Sequence, residues 1–357
     1  MSNTVKQDQA FFERQKLSHD LRHAARDLFS FLDIQTDVTA PPELIDPHSH
    51  TADFDPLPET SAISVADFRQ QFQNPGIPLV FRGAARDWGC CQNWCVEYIR
   101  ECHGSDRLGP LFTLEKILNS PTDNYVRFYN LFQRHPERLA DVDLSWLLER
   151  VGPKPYIDQG FQIFMGNKLP AKTLFHNAND SNLFVQVSGQ KEWVLYPSSL
   201  TSAFAPDPIK GEYREPGDAY RHYDPFEPDY EKYPRFCHLT PWRVTLGPGD
   251  VLWNPPYVWH AVRNLSANNI GFGYRWLSPL HCLKLEPLYF LLDLLAQDPP
   301  IWESIRMAKR DFQLIMLSQA KKEILNLKRM QQYTADLEIS YAQYDQIIQE
   351  MRRNLSA

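Results

Sequence analysis

Between Phe161 and Trp276 the sequence runs in short alternating stretches separated by turn residues, which points to a mainly β architecture. Asn182 to Val187 reads as one strand, Gly189-Gln190 as a hairpin turn and Glu192 to Tyr196 as the returning strand. Trp242 to Leu246, Val251 to Asn254, Ala261 to Asn264 and Ile270 to Trp276 complete the sheet, with Gly247-Pro248-Gly249-Asp250 as a tight turn. Ile77 to Ala85, Tyr125 to Tyr129 and Tyr156 to Met165 read as strands upstream. The long irregular stretch from Pro197 to Pro241 carries Tyr213, Tyr220, Tyr223, Tyr230 and Tyr233. A connection of this length suits a substrate-side lid or a surface excursion.

Helical spacing frames this region. Residues 7 to 33 repeat apolar side chains at helical intervals, and Ser64 caps a helix that begins at Val65. Trp94 to Cys102 and Ser145 to Val151 read as short helices, the first with buried, reduced thiols. Leu283 to Leu295, Ile301 to Met330 and Ala335 to Leu355 form a helical tail whose amphipathic faces suggest a homodimer. The expected division is an N-terminal helix and loop over 1–60, a β domain over 61–280 and a C-terminal helical region over 281–357.

The 357 residues are 43% hydrophobic, enough for a sizeable core, and a net charge of -7 argues against a nucleic-acid partner. No apolar run reaches the roughly 18 residues of a membrane span, and the start of the chain does not read as a secretory signal. A cytoplasmic location is expected. Cys91, Cys95, Cys102 and His103 fit no zinc spacing. His48 and His50, beside Asp46, read as part of a solvated loop. There is no nucleophile elbow and no phosphate-binding glycine loop.

Two stretches carry chemistry. One runs Thr173-Leu174-Phe175-His176-Asn177-Ala178-Asn179-Asp180-Ser181-Asn182, the other from Gly249-Asp250 through Trp253-Asn254-Pro255-Pro256 to His260. A mononuclear iron that activates oxygen is commonly held by two histidines and a carboxylate on one face. His176 and His260 fit the histidine roles, paired across a small barrel. Lys191 follows the hairpin turn. Inside a barrel it would need an anion, and 2-oxoglutarate would supply one, with Thr173 adding a hydroxyl. Strand periodicity alone is equally compatible with Lys191 facing solvent. Tyr125, Arg127, Tyr129, Trp253 and Arg275 are candidate pocket residues for a small-molecule, amino-acid or peptide substrate. An inward Arg275 wants either a substrate carboxylate or an internal acid.

Leu79 to Ala85 with Trp88, the run Asn182 to Lys191 and the run Gly249 to His260 resemble the JmjC-type, cupin-like Fe(II)/2-oxoglutarate oxygenases. The similarity is greatest to the asparaginyl hydroxylase group and covers roughly residues 60 to 280. It implies a double-stranded β-helix (jelly-roll) core with flanking helices and a C-terminal helical region. It also implies Fe(II), 2-oxoglutarate and O2, with His176 and His260 on the metal and Lys191, Thr173 and Asn182 around the co-substrate. The family reads His-x-Asp or His-x-Glu, and alignment on Asn182 and Lys191 puts Ala178 at the acidic position. Three outcomes follow. A chloride or bromide takes the vacant position, as in halogenases with Ala or Gly there, and Phe175 or Trp253 helps form its pocket. Alternatively, Asp180 or Asn179 swings in and the protein is a hydroxylase. In the third, iron chemistry is lost and the barrel only binds.

Overall fold

The computed structural model describes residues 54–108, 112–121, 125–153, 155–206, 215–217, 219–295, 343–344 and 346–355. The expected helix over 7–33, the 46–50 histidine loop and the helix over 301–330 lie outside the described residues.

Eleven strands are found among the described residues: β1 (Asp55–Pro56), β2 (Glu59–Thr60), β3 (Leu79–Phe81), β4 (Tyr125–Tyr129), β5 (Ile157–Asn167), β6 (Ser181–Ser188), β7 (Lys191–Tyr196), β8 (Trp242–Leu246), β9 (Val251–Asn254), β10 (Trp259–Asn264) and β11 (Asn268–Leu277). They build a four-stranded sheet in the order β1-β8-β7-β10 and a seven-stranded sheet in the order β2-β3-β9-β6-β11-β5-β4. Consecutive strands β6 and β7 lie in different sheets, so the Gly189-Gln190 turn is a crossover corner rather than a two-strand hairpin. Gly189 takes the left-handed conformation there (φ +74°).

Period-two alternation sorts the side chains. On β7, Trp193 and Leu195 pack with Phe184, Phe164 and Leu252 between the sheets, whereas Val194 and Tyr196 face a separate outer aromatic layer. On β11, Ile270, Phe272, Tyr274 and Trp276 join the large core behind the seven-stranded sheet. Gly271, Gly273 and Arg275 therefore face inward. A Cβ on Gly271 would overlap the Phe184 ring, and one on Gly273 would overlap the Asn182 amide. Gly271→Ala is expected to destabilise by about 1–3 kcal/mol, as overpacking of a filled interior does. Denaturant unfolding checks this, and an unchanged midpoint would mean that Phe184 yields freely.

The first and last of the three family-like runs meet. Asp250 accepts from Arg82 Nη1 (2.7 Å), Gly83 N (2.9 Å) and Gly247 N (2.9 Å), which locks the turn before β9 against the end of β3.

One helical expectation holds and two shift. Ser64 Oγ does accept from Asp67 N (3.0 Å) and starts the helix Val65–Phe68. The segment expected to begin at Trp94 begins at Val96, because Cys95 is extended and caps Tyr98 N with its sulfur (3.4 Å). The clustered thiols of this region are not uniformly buried either. Cys90 is buried and Cys91 half-buried, but Cys95 and Cys102 are exposed, and no disulfide forms. Leu283 to Leu295 is split into Pro279–Leu285 and Pro287–Leu295. Pro287 cannot donate, and it drives Glu286 out of helical geometry (φ -140°, ψ 74°). Among the described residues no helix is long and apolar enough to cross a membrane.

Candidate metal centre

His176 and His260 are brought together by backbone pairing. His176 N donates to His260 O (3.0 Å) and His260 N to His176 O (2.7 Å), so residues 172–176 extend the small sheet beyond β10. Their rings lie 4.4 Å apart, and the His260 ring stacks on inward-facing Trp193. Each Nδ1 is engaged by a backbone carbonyl, His176 by Leu174 O (2.7 Å) and His260 by Val258 O (2.9 Å). A carbonyl can only accept, so each Nδ1 carries a proton, which leaves Nε2 as the ring atom able to ligate a metal. Histidines that ligate metals are oriented in this way. Burial, then the neighbouring His176, drive the His260 imidazole well below its usual range, and Arg275 adds to this. His260 is therefore neutral, the form that binds a cation.

The aromatic layer on the outside of the small sheet supports this pair. Phe175 and Trp259, the residues before the two histidines, pack on each other (5.3 Å) and on Phe204. Trp259 Nε1 donates to Thr201 Oγ1 (2.8 Å). The described part of the 197–241 stretch supplies Phe204, Tyr223, Tyr230, Tyr233 and Phe236 to this layer. It backs the histidines from the outer face of the sheet rather than covering the interior as a lid.

Lys191 is 1% exposed and faces inward. Its ammonium donates to Asn264 Oδ1 (2.7 Å) and Tyr125 OH (3.0 Å), both neutral acceptors. Burial, then Arg127, lower its pKa from 10.5 to about 7. Around it, several buried inward-facing polar atoms lack a partner: both amide atoms of Asn182, Asn254 Oδ1, Asn264 Nδ2, Gln162 Oε1 and Trp193 Nε1. Buried polar atoms are normally satisfied. A cation with only neutral partners and a wall of unpaired amides fit a polar, anionic ligand.

Thr173 is partly turned away from this wall, since its hydroxyl accepts from Val262 N (3.0 Å). Arg127 is exposed, with its guanidinium over the Tyr125 ring at 4.8 Å. Tyr129 and Trp253 do not line the interior. Both lie in the core behind the large sheet, where Tyr129 donates to Asp106 (2.7 Å) and Trp253 stacks on Trp276. Phe175 likewise faces the outer layer, so neither Phe175 nor Trp253 can form a halide pocket on the inner wall. Sequence alternation through the β4 irregularity at Phe128 (φ 58°) could not give the Tyr129 orientation. Asn264, Trp193 and Asn254 are inward residues that sequence reasoning did not single out. Counting in twos from Lys191 or His260 along their strands would have found Trp193 and Asn264.

Ala178 sits in the turn after His176, its carbonyl accepting from Tyr257 N (2.6 Å). The Asp180 carboxylate accepts from Arg275 Nη1 (2.8 Å). Among the described residues, three metal-type ligand atoms come within 4.8 Å of one another only at His103, Asp106 and His135. That group lies behind the large sheet and is tied to neighbouring protein groups, although His103 Nδ1 is buried without a partner. Arg138 donates to His103 Nε2 (3.0 Å), and Asp106 Oδ2 takes Tyr129 and His135. Burial, then His135 and Arg138, lower the His103 pKa from 6.5 to about 4.

His103 and His260 are both held neutral by the fold. The unfolded chain binds more protons below pH 6.5, so stability is expected to fall as pH drops from 6.5 towards about 4. Melting curves across that window check this, and His103→Gln should flatten part of the slope.

Residues 113–280 match the family described as Cupin-like domain. Over 234 residues the chain is 26% identical to lysine-specific demethylase 8 of Xenopus tropicalis, covering 58% of this chain and 50% of the relative. It is 24% identical over 280 residues to the human bifunctional peptidase and (3S)-lysyl hydroxylase JMJD7, covering 64% of this chain and 86% of the relative. It is 33% identical over 229 residues to HSPB1-associated protein 1 of Bos taurus, covering 53% of this chain and 46% of the relative. The chain thus spans about half the length of the first and third of these. With paired sheets, inward histidines and this match, residues 113–280 form a cupin-like domain with a mainly β jelly-roll core.

Proposed function

We propose that the chain is an Fe(II)- and 2-oxoglutarate-dependent oxygenase that modifies a C–H bond of an amino-acid, peptide or protein side chain. The observation that carries this reading is the combination of two oriented imidazoles with Lys191, a buried cation whose hydrogen-bond partners are both neutral. The similarity to a lysyl hydroxylase and a lysine-specific demethylase agrees with it. When bound, iron with 2-oxoglutarate and O2 would supply an oxidant able to attack an unactivated carbon. His176 and His260 would hold the metal through Nε2. Lys191 would bind a co-substrate carboxylate, with Tyr125 and Asn264 keeping the ammonium in place and Asn182 offering an amide. Trp193 and Phe184 would keep water from that end of the interior.

Ala178 extends the reading to halogenation. With no side-chain ligand there and Asp180 engaged by Arg275, a two-histidine ion has a position for chloride or bromide. The test is an anaerobic titration of Fe(II) and 2-oxoglutarate followed by visible absorbance, with and without chloride. A charge-transfer band supports the oxygenase class, and its shift with chloride supports halogenation. A band indifferent to chloride favours hydroxylation. Absence of a band at saturating iron would overturn the enzyme reading in favour of a binding module.

A further inference from the structure

Asp180 and Arg275 form an ion pair inside the domain, 6% and 14% exposed at the side chain. Arg275 faces inward from β11, directly opposite Asn182 on β6. The pairing of β11 with β5 shifts register between Arg275 and Trp276, a bulge of the kind that re-aims a side chain. The turn that carries Asp180 is pinned through its backbone at two points. Tyr257 N donates to Ala178 O (2.6 Å), and Cys282 Sγ donates to Asn179 O (3.1 Å). With the backbone fixed, the remaining freedom of Asp180 is its side chain, and Arg275 sets where that points. Asp180 lies four residues after His176 in the same turn, yet it does not group with the two histidines. Its transfer to an ion between them would leave the Arg275 guanidinium buried without its partner, which is costly.

We infer that Arg275 is a positioning residue that holds the Asp180 carboxylate on β11, off the metal position, so that an ion there takes the two imidazoles and leaves its other positions to exogenous ligands. The inference rests on the metal reading above.

The test is Co(II) binding to the full chain, followed by its visible absorption and by melting temperature. His260→Ala against the unmodified protein tests the metal reading alone, because equal binding by both would overturn it whatever Arg275 does. Three variants test the inference: Asp180→Asn, Arg275→Met and the double substitution. Asp180→Asn should change the Kd by less than about twofold. Arg275→Met should tighten binding about tenfold or more, a gain of about 1.4 kcal/mol. It should also alter the Co(II) spectrum as a new oxygen ligand enters. Adding Asp180→Asn to Arg275→Met should remove both effects, which isolates ligation from the loss of a positive charge. A tenfold weakening in Asp180→Asn would overturn the inference, since Asp180 would already be a ligand. An equal gain in Arg275→Met with and without Asp180 would overturn it too. If Arg275→Met does not fold, Arg275→Gln and the Asp180→Asn arm decide by the same criteria.

Discussion

Replacing Lys191 by methionine is expected to stabilise the protein while weakening its binding of 2-oxoglutarate. The side chain is fully buried, and its partners Tyr125 and Asn264 carry no negative charge. Desolvation of an ammonium in such a place costs several kcal/mol that neutral acceptors repay only in part. Methionine fills nearly the same volume and has no charge to desolvate. Replacement of buried ionic groups by apolar ones of similar size stabilises by about 1–4 kcal/mol where the packing is kept. The pH dependence gives a sharper signature. The folded-state pKa of Lys191 is lowered from 10.5 to about 7, so between those values the unfolded chain binds more protons. This contribution raises stability as pH rises from 7 to 10.5 and withdraws it as pH falls. The stability gap between Lys191→Met and the unmodified protein should therefore be widest near pH 7 and shrink towards pH 10. Affinity moves the other way. A charge-assisted hydrogen bond to a carboxylate contributes about 1.5–3 kcal/mol, so 2-oxoglutarate should bind about 10- to 150-fold more weakly to the variant. Thermal melts with and without 2-oxoglutarate read both effects. A variant that is less stable at every pH, or that is stabilised by the ligand as much as the parent, would place Lys191 in a structural role.

The sequence made the sheets legible because their signals are local. Trp242 to Leu246 and Val251 to Asn254 coincide with β8 and β9, since alternating β-formers bounded by Gly and Pro leave little room for another reading. The His176–His260 pairing is not local. The Pro-Pro turn before His260 and the family-like motif point to it, and the structure forms it through two backbone hydrogen bonds across 84 positions. What alternation could not decide was a face. Lys191 could have pointed either way, and only the neighbours Trp193 and Leu195 on the same side show that it points inward. Tyr129 and Trp253 are the converse. Their aromatic character suited a pocket, but each sits on the parity that faces the core behind the large sheet. An inward Arg275 wants an anion, and an internal acid is one answer. Asp180 is that acid, and it comes from a turn whose course no periodicity predicts.

Ala178→Asp is expected to create a third protein ligand and to abolish any response of the site to chloride. The position lies two residues after His176 in a turn held by the hydrogen bond from Tyr257 N to Ala178 O, so the backbone is already fixed and a new carboxylate would pay little ordering cost. The imidazoles are held by Leu174 O and Val258 O, and the charge of Arg275 is engaged by Asp180. Facing the pair, the new carboxylate would meet the two imidazoles and, when one is bound, a divalent cation. If that contact is worth as much as a hydrogen bond to a charged group, about 1.5–3 kcal/mol, the affinity for Co(II) or Fe(II) rises about 10- to 150-fold. The variant without metal should be slightly less stable than its parent, because a half-buried carboxylate then lacks a partner, and the metal should restore that loss. Chloride separates this from a general electrostatic gain. A carboxylate that only lowers the local potential would tighten metal binding and leave the chloride shift of the charge-transfer band in place, whereas a carboxylate on the ion occupies the position the halide would take and removes the shift. Unchanged metal affinity in a folded variant would mean that residue 178 does not face the ion, and the reading of Ala178 as the vacant ligand position would fall with it.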